Sequence, residues 1–575
     1  MKKNLFKRVL TLALCATTAF SIVGCGGSGD GGDEDSSGTP TKEVDASKTQ
    51  LNAVFFNSGY GDKWPYELAD AFEEAAKDMV FEEGKKGVQV HMKGEKADYT
   101  TQQIKTGDFD IYFLEGPSNY NDMLASKAFE PLDSIVTAVS PFDNKTIESK
   151  MTQQQKDFYN YNHATDGEHY YTLPHYAGNY SIIYNVDLFD ANGFYFAETP
   201  DPDDGNRLIG AGRETKSAGP DGQKGTSDDG MPTTYEEFFY LCGEINARGI
   251  DPICFPGKYS TQHISLTMES LAAAYEGAEQ FTLNSTFNGT AKNLIKTNAD
   301  GSAVLDGNGN PVFDEQDLVI TSDNAYNLSR QAGWYYAFKF METILGNDNY
   351  YNEIDGQNTG MTHKMMEQGF LEYGKLGVTE SAMLLDGTWW QMDAAATFDR
   401  LTKEDQKWSK ENRKFGLMTL PQPTAEDAAK VASGEKKPVF LDYLMAVAGV
   451  KAGLPTARKN AALTFMQYAY SDQAMAEFTY STGAPIGMDY MDAIDKTKLN
   501  PWETSVIEYM EKADIVYQVS DTPRYQQNLT FFRGVNKFKL SIGAIEAAIW
   551  AGGYKAGDFF KAFQGHYKGL AWAGK

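Results

Sequence analysis

Leu51 to Phe56 is apolar except for Asn52, and it closes on the small residues Asn57-Ser-Gly-Tyr-Gly61. A short apolar run ended by turn formers predicts a buried strand. From Pro65 to about Met79, Leu68, Ala71, Phe72 and Ala75 recur at the three-to-four spacing of a helix. Val88–Met92 reads as the next strand and Phe109–Leu114 as another, with room for a helix between them. This alternation predicts an α/β fold whose sheet is mainly parallel and flanked by helices. Ligands of such sheets sit at the carboxyl ends of the strands, here the 57–61 turn and the Glu115-Gly116 step. Downstream, Thr234–Ala247 reads as a helix opened by a Thr234/Glu237 capping box. Gly249–Phe255 reads as a strand running back beside it, Trp334-Tyr335-Tyr336 as part of a packed helix, and Asn298–Phe313 as a decorated hairpin.

The first residues carry a different pattern. Lys2, Lys3, Lys7 and Arg8 precede a mostly apolar run from Val9 to Phe20, too short to span a bilayer comfortably. It closes on Ile22-Val-Gly-Cys25, which resembles the bacterial lipobox, with Cys25 as the acylated residue. An ordinary signal peptide or an uncleaved anchor are the alternatives. Residues 1–24 are thus expected to be a lipoprotein signal peptide, and residues 25–49 a flexible acidic Gly/Ser linker that cannot bury enough surface to fold. The expected location is the outer face of the cell membrane, with contact to lipid only through the anchor. The remaining ~525 residues are too many for one core and suit two or more domains. No later stretch reaches eighteen consecutive apolar residues.

Charge and residue usage then remove several chemistries. The net charge of −27 disfavours nucleic acid as a partner. Beyond Cys25 only Cys242 and Cys254 remain, so there is no disulfide framework. A bridge between these two is conceivable, but two buried thiols are the expectation. The seven histidines make no paired metal spacing, and neither a phosphate-cradling glycine loop nor a nucleophile elbow occurs. No cofactor is required by this pattern. One segment, Ala197–Met231, is a long acidic, glycine-rich insertion. Its Asp221, Asp228 and Asp229 could gather oxygen ligands for a structural Ca²⁺, with a plain turn-rich exposed loop as the alternative.

Several motifs in order carry a family resemblance. Tyr170-Tyr-Thr-Leu-Pro174, the following stretch to Tyr184-Asn185, then Asp187-Leu-Phe and Asn192-Gly193, resembles a signature of family 1 extracellular solute-binding proteins, the receptors of ABC importers. Pro232–Phe238, Ala382–Trp390, Phe415–Pro421, and Ala461–Tyr468 with Ser481–Ile486 resemble further family motifs in the same order. The resemblance implies a two-lobed periplasmic-binding-protein-like fold of class II type, each lobe a mainly parallel sheet with helices, joined by a hinge. The expected division is 50–175 plus 440–480 for the first lobe and 180–435 plus 485–575 for the second. Tyr176–Asn179 would form the first crossing, with Ala177-Gly178 suited to hinge motion.

The resemblance also implies a solute cleft between the lobes. About one residue in eight is aromatic, and aromatic faces stack on the C–H patches of sugars. The family motif makes Trp389 a ligand contact, with Trp390 beside it. Asp386 stands where an Asn is commoner. Asn57, Tyr60, Glu115, Tyr176 and Tyr259 complete the candidate contacts. The expected function is that of a monomeric binding lipoprotein, not an enzyme, that captures an oligosaccharide and delivers it to ABC permease subunits. The alternative is a secreted glycoside hydrolase with an acidic aromatic cleft.

Overall fold

The computed structural model describes residues 42–570, apart from 58, 118, 204, 211, 373, 374, 376–379 and 444. Cys25, the leader and most of the linker lie outside the described residues.

Two separate sheets organise the chain. In the first, Thr49–Phe56 lies between Val88–Glu95 and Ile111–Glu115, and all three strands run parallel. Ala446–Val450 comes next and Leu173–Pro174 last, with Ala446–Val450 antiparallel to both its neighbours. The second sheet has the order Phe415–Leu417, Tyr180–Asn185, Ser381–Gly387, Asp251–Cys254. There Tyr180–Asn185 is the reversed strand, and its two neighbours share the direction of Asp251–Cys254. Each reversed strand is the one the chain enters just after crossing from the other lobe. The mainly parallel expectation holds, with one reversed strand in each sheet.

The second sheet is covered on both faces, which explains its unbroken apolar strands. Ile182, Tyr184, Ile253, Met383 and Leu385 enter one core with the long helix Ser260–Thr286, which is broken by a kink at Gly277, and the C-terminal helices. Ile183, Cys254 and Leu384 enter the opposite core with Phe370, Trp390 and Trp502. This period of two also settles the cysteines. Both are buried free thiols, with Cys242 in the first of these cores and Cys254 in the second, so the sheet separates them. The first lobe has its own core, in which Leu51, Phe72, Ile111, Leu173 and Val447 meet.

Three chain segments run side by side between the lobes. Ala177 N–H donates to the Pro485 carbonyl at 3.0 Å and Tyr443 N–H to the Gly178 carbonyl at 2.8 Å. Gly178 N–H donates to Asp442 Oδ1 at 3.0 Å. Here the chain departs from the expected division. Ala484, Ile486, Met488 and Tyr490 pack in the first core, not the second, because Ile486 bridges to Tyr176 at the crossing. The chain reaches the second lobe again with helix Pro501–Lys512, whose Trp502 and Val506 join its core.

Local expectations fare variously. The helix expected at Pro65–Met79 is Lys63–Ala75, and that at Thr234–Ala247 is Tyr235–Ala247 with Thr234 as its cap. The Thr234 side chain accepts from Glu237 N–H, but Glu237 reaches back to Thr233 N–H and not to Thr234. Among the described residues no helix is long and apolar enough to cross a membrane.

Candidate ligand cleft

The first strand ends at Phe56, and the chain turns through Gly61, whose φ of +77° suits glycine. This turn carries Tyr60 to the boundary between the lobes, buried there against Tyr176 with ring centres 4.3 Å apart. From the other lobe, the Ser381–Gly387 strand ends and Trp389 caps the short helix Trp390–Asp393. The Trp389 indole lies 6.0 Å from the Tyr60 ring and meets Tyr180 edge-on at 5.0 Å. Tyr443 packs against the same Tyr180 at 5.5 Å. Gly387 makes this pose possible. A Cβ there would fall 2.3 Å from the Trp389 ring, so the indole lies directly over bare backbone.

The lobes touch at this point. A Cβ on Gly59 would come within 2.7 Å of the Asp393 carboxylate and 2.8 Å of the Trp389 ring. Farther along the boundary, Asn121 Nδ2 donates to the Gln526 carbonyl at 2.8 Å and Gln154 Nε2 to Ser285 Oγ at 3.3 Å. The lobes are therefore in contact along this boundary. A small pocket lies beside the crossings, lined by Gln155, His175, Tyr176, Asp442 and Tyr517 among others. His175 is fully enclosed there, and burial lowers its pKa to about 3, so the ring is neutral.

Carboxylates crowd the aromatic set. Glu115, at the end of its strand, accepts a short hydrogen bond from the Tyr176 hydroxyl. Asp386 is 3% exposed, and its Oδ1 accepts from Gly387 N–H at 2.6 Å while Oδ2 has no partner. Burial pushes its pKa up to about 7. Asp393 is likewise raised to about 7, first by desolvation and then by the Asp386 charge. Glu367, on helix His363–Leu371, is 1% exposed with both carboxyl oxygens unpartnered. Desolvation raises its pKa well above the usual range, and Asp393 and Asp386 add to the rise. His263 Nδ1 donates to the Leu385 carbonyl at 2.8 Å and stands 3.8 Å from Asp386. Burial lowers the pKa of this histidine to about 4, so that contact is not an ion pair at neutral pH.

The candidate residues divide accordingly. Tyr60, Glu115, Tyr176, Asp386 and Trp389 converge. Asn57 sits at the strand end beside them, its N–H bonded to the Glu95 carbonyl. Tyr259 packs against His363 with ring centres 5.7 Å apart. Trp390 is a correction. It is fully buried among Phe370, Phe398, Phe415 and Trp502, because the turn after Gly387 sends consecutive tryptophans to opposite sides. Sequence reasoning missed Tyr180, Glu367, Asp393 and Tyr443. Tyr180 lies inside the quoted motif, whereas nothing local marks the others.

Within the acidic insertion, Thr226 ties the three aspartates together. Thr226 Oγ1 lies 2.8 Å from Asp228, 3.3 Å from Asp221 and 3.4 Å from Asp229. Lys512 reaches Asp221 at 3.2 Å. Among the described residues no group of three or more His, Cys, Asp or Glu is arranged to hold a metal ion.

Two α/β lobes, linked by several crossings, thus meet at a shared aromatic and acidic cleft. Residues 67–262 match the family model described as bacterial extracellular solute-binding protein. Over that segment the match agrees with the resemblance read from the ordered motifs. No curated protein matches. Among solved structures, a chitin oligosaccharide binding protein is 15% identical, with TM-score 0.49, over 91% of this chain and 98% of that one. A bacterial solute receptor described as exclusively preferring β-D-galactopyranose is 12% identical, with TM-score 0.48, over 90% and 96%.

Proposed function

We propose that the solute is a carbohydrate, taken up between the lobes and passed unaltered to an ABC permease, with the receptor held at the membrane through lipid on Cys25. The observation that carries this reading is the convergence of Tyr60 and Tyr176 from one lobe with Trp389 and Tyr180 from the other. Flat rings with hydrogen-bond acceptors at their edges suit a sugar's C–H faces and peripheral hydroxyls. Because ligand would touch both lobes only when they are closed, its differential affinity shifts the population toward closure. The paired backbone at 177–178, 442–443 and 485–486 is where such motion would be absorbed.

The test is calorimetric titration with mono- and oligosaccharides, followed by chromatography of the recovered sugar. Saturable binding with intact sugar is expected. Cleaved product would favour the glycoside hydrolase alternative, and absence of binding across the panel would remove the carbohydrate assignment.

A further inference from the structure

The cleft holds more acid than a neutral ligand needs. Asp386 and Asp393 both lie close enough to act on Glu367, Asp386 acts on Asp393 as well, and Glu115 acts on Asp393 from the facing lobe. Their surroundings are rings, with Tyr60 feeling Glu115, Asp442 and Asp393, and Tyr180 feeling Asp386 and Asp393. The cations acting on the trio are Lys364 and Lys96, and both side chains are solvent-exposed. Most telling are the three oxygens with no hydrogen-bond partner, both of Glu367 and Oδ2 of Asp386, on side chains more than nine-tenths buried.

Buried acceptors without partners are costly, and buried negative charge more so, unless something supplies donors and countercharge. A neutral sugar supplies donors only. An ammonium group supplies three donors and the charge, and the π-faces of tyrosine and tryptophan attract it as well. Resting on the carbohydrate reading above, we propose that the preferred solute is a saccharide bearing a free amino group. Its ammonium is taken among Glu367, Asp386 and Asp393, while its ring lies against Trp389 and Tyr60.

The experiment titrates the protein with matched pairs that differ only in the amino group. Glucosamine is set against glucose, galactosamine against galactose, and fully deacetylated chitobiose against cellobiose, with N-acetylglucosamine, choline and spermidine as further arms. At pH 7.5 at least one amino sugar is expected to bind ten-fold or more tighter than its neutral match. It should also release protons on binding, measured from heats in buffers of different ionisation enthalpy, because the ammonium favours the ionised carboxylates. Glu367→Gln is expected to cut the preference for the amino sugar over its neutral match at least five-fold. If that variant does not fold, Asp393→Asn gives the same readout. Equal or tighter binding of the neutral sugars overturns the ammonium assignment and leaves the carbohydrate reading standing. Binding of choline or spermidine with no saccharide bound overturns both.

Discussion

Replacing Asp386 by Asn should change how stability depends on pH, in a direction the cleft dictates. An aspartate in the unfolded chain titrates near 3.8, whereas buried Asp386 titrates near 7. Between those values the folded protein holds the extra proton, so stability must fall as the pH rises through that window. The penalty is absent below about pH 4 and fully present above about pH 7. A shift of about three units, at 1.36 kcal/mol per unit, is a cost of about 4 kcal/mol at its largest. Asp393 and Glu367 titrate with it, so the protons leave the trio as a set and one substitution recovers only part. The asparagine oxygen can still accept from Gly387 N–H, so the local turn is kept. Urea unfolding of both proteins at pH 5 and pH 8 reads the difference, in which titrations elsewhere cancel. The wild type should lose at least about 1.4 kcal/mol relative to the variant on going from pH 5 to pH 8. Parallel profiles, or a wild type that gains on the variant, would refute the reasoning.

Two other substitutions probe different parts of the structure. Gly387→Ala places a methyl group where the Trp389 ring lies, at 2.3 Å, so the indole must move. Saccharide affinity should drop about ten-fold with little change in the unfolding midpoint, since an aromatic contact of this kind is worth about 1 kcal/mol or more. In the second lobe, Lys537 and Glu269 form a fully buried ion pair joining a short C-terminal turn to the long helix. Lys537→Met leaves the Glu269 carboxylate unpaired and should cost about 3–5 kcal/mol in denaturant unfolding. A loss under 1 kcal/mol would mean that the pair is not desolvated as described.

Much of the fold was legible because the strands are buried along most of their length. Strands such as 51–56 and 109–114 must then read as apolar runs, and the helix after Thr234 announces itself through its cap. What could not be read depends on relations between distant segments. Cys242 and Cys254 looked like neighbours along the chain, yet the sheet divides them. Trp389 and Trp390 are chemically identical and adjacent, and only the geometry of the turn after Gly387 decides which enters the cleft. Glu367 and Asp393 sit on separate short helices, and their shared burial has no local signature. The boundary near residue 485 was missed because Ile486 returns to pair with Tyr176, a contact set by the crossing and not by any hydrophobic period.

Capture between two lobes requires that rings from both contribute to binding. The deciding measurement is a calorimetric titration of wild type, Tyr60→Ala and Trp389→Ala with the tightest saccharide, with the unfolding of each checked first. Each variant should weaken binding at least ten-fold, one from each side of the cleft. A variant that folds and binds as wild type does would place the solute on a single lobe and contradict capture between them.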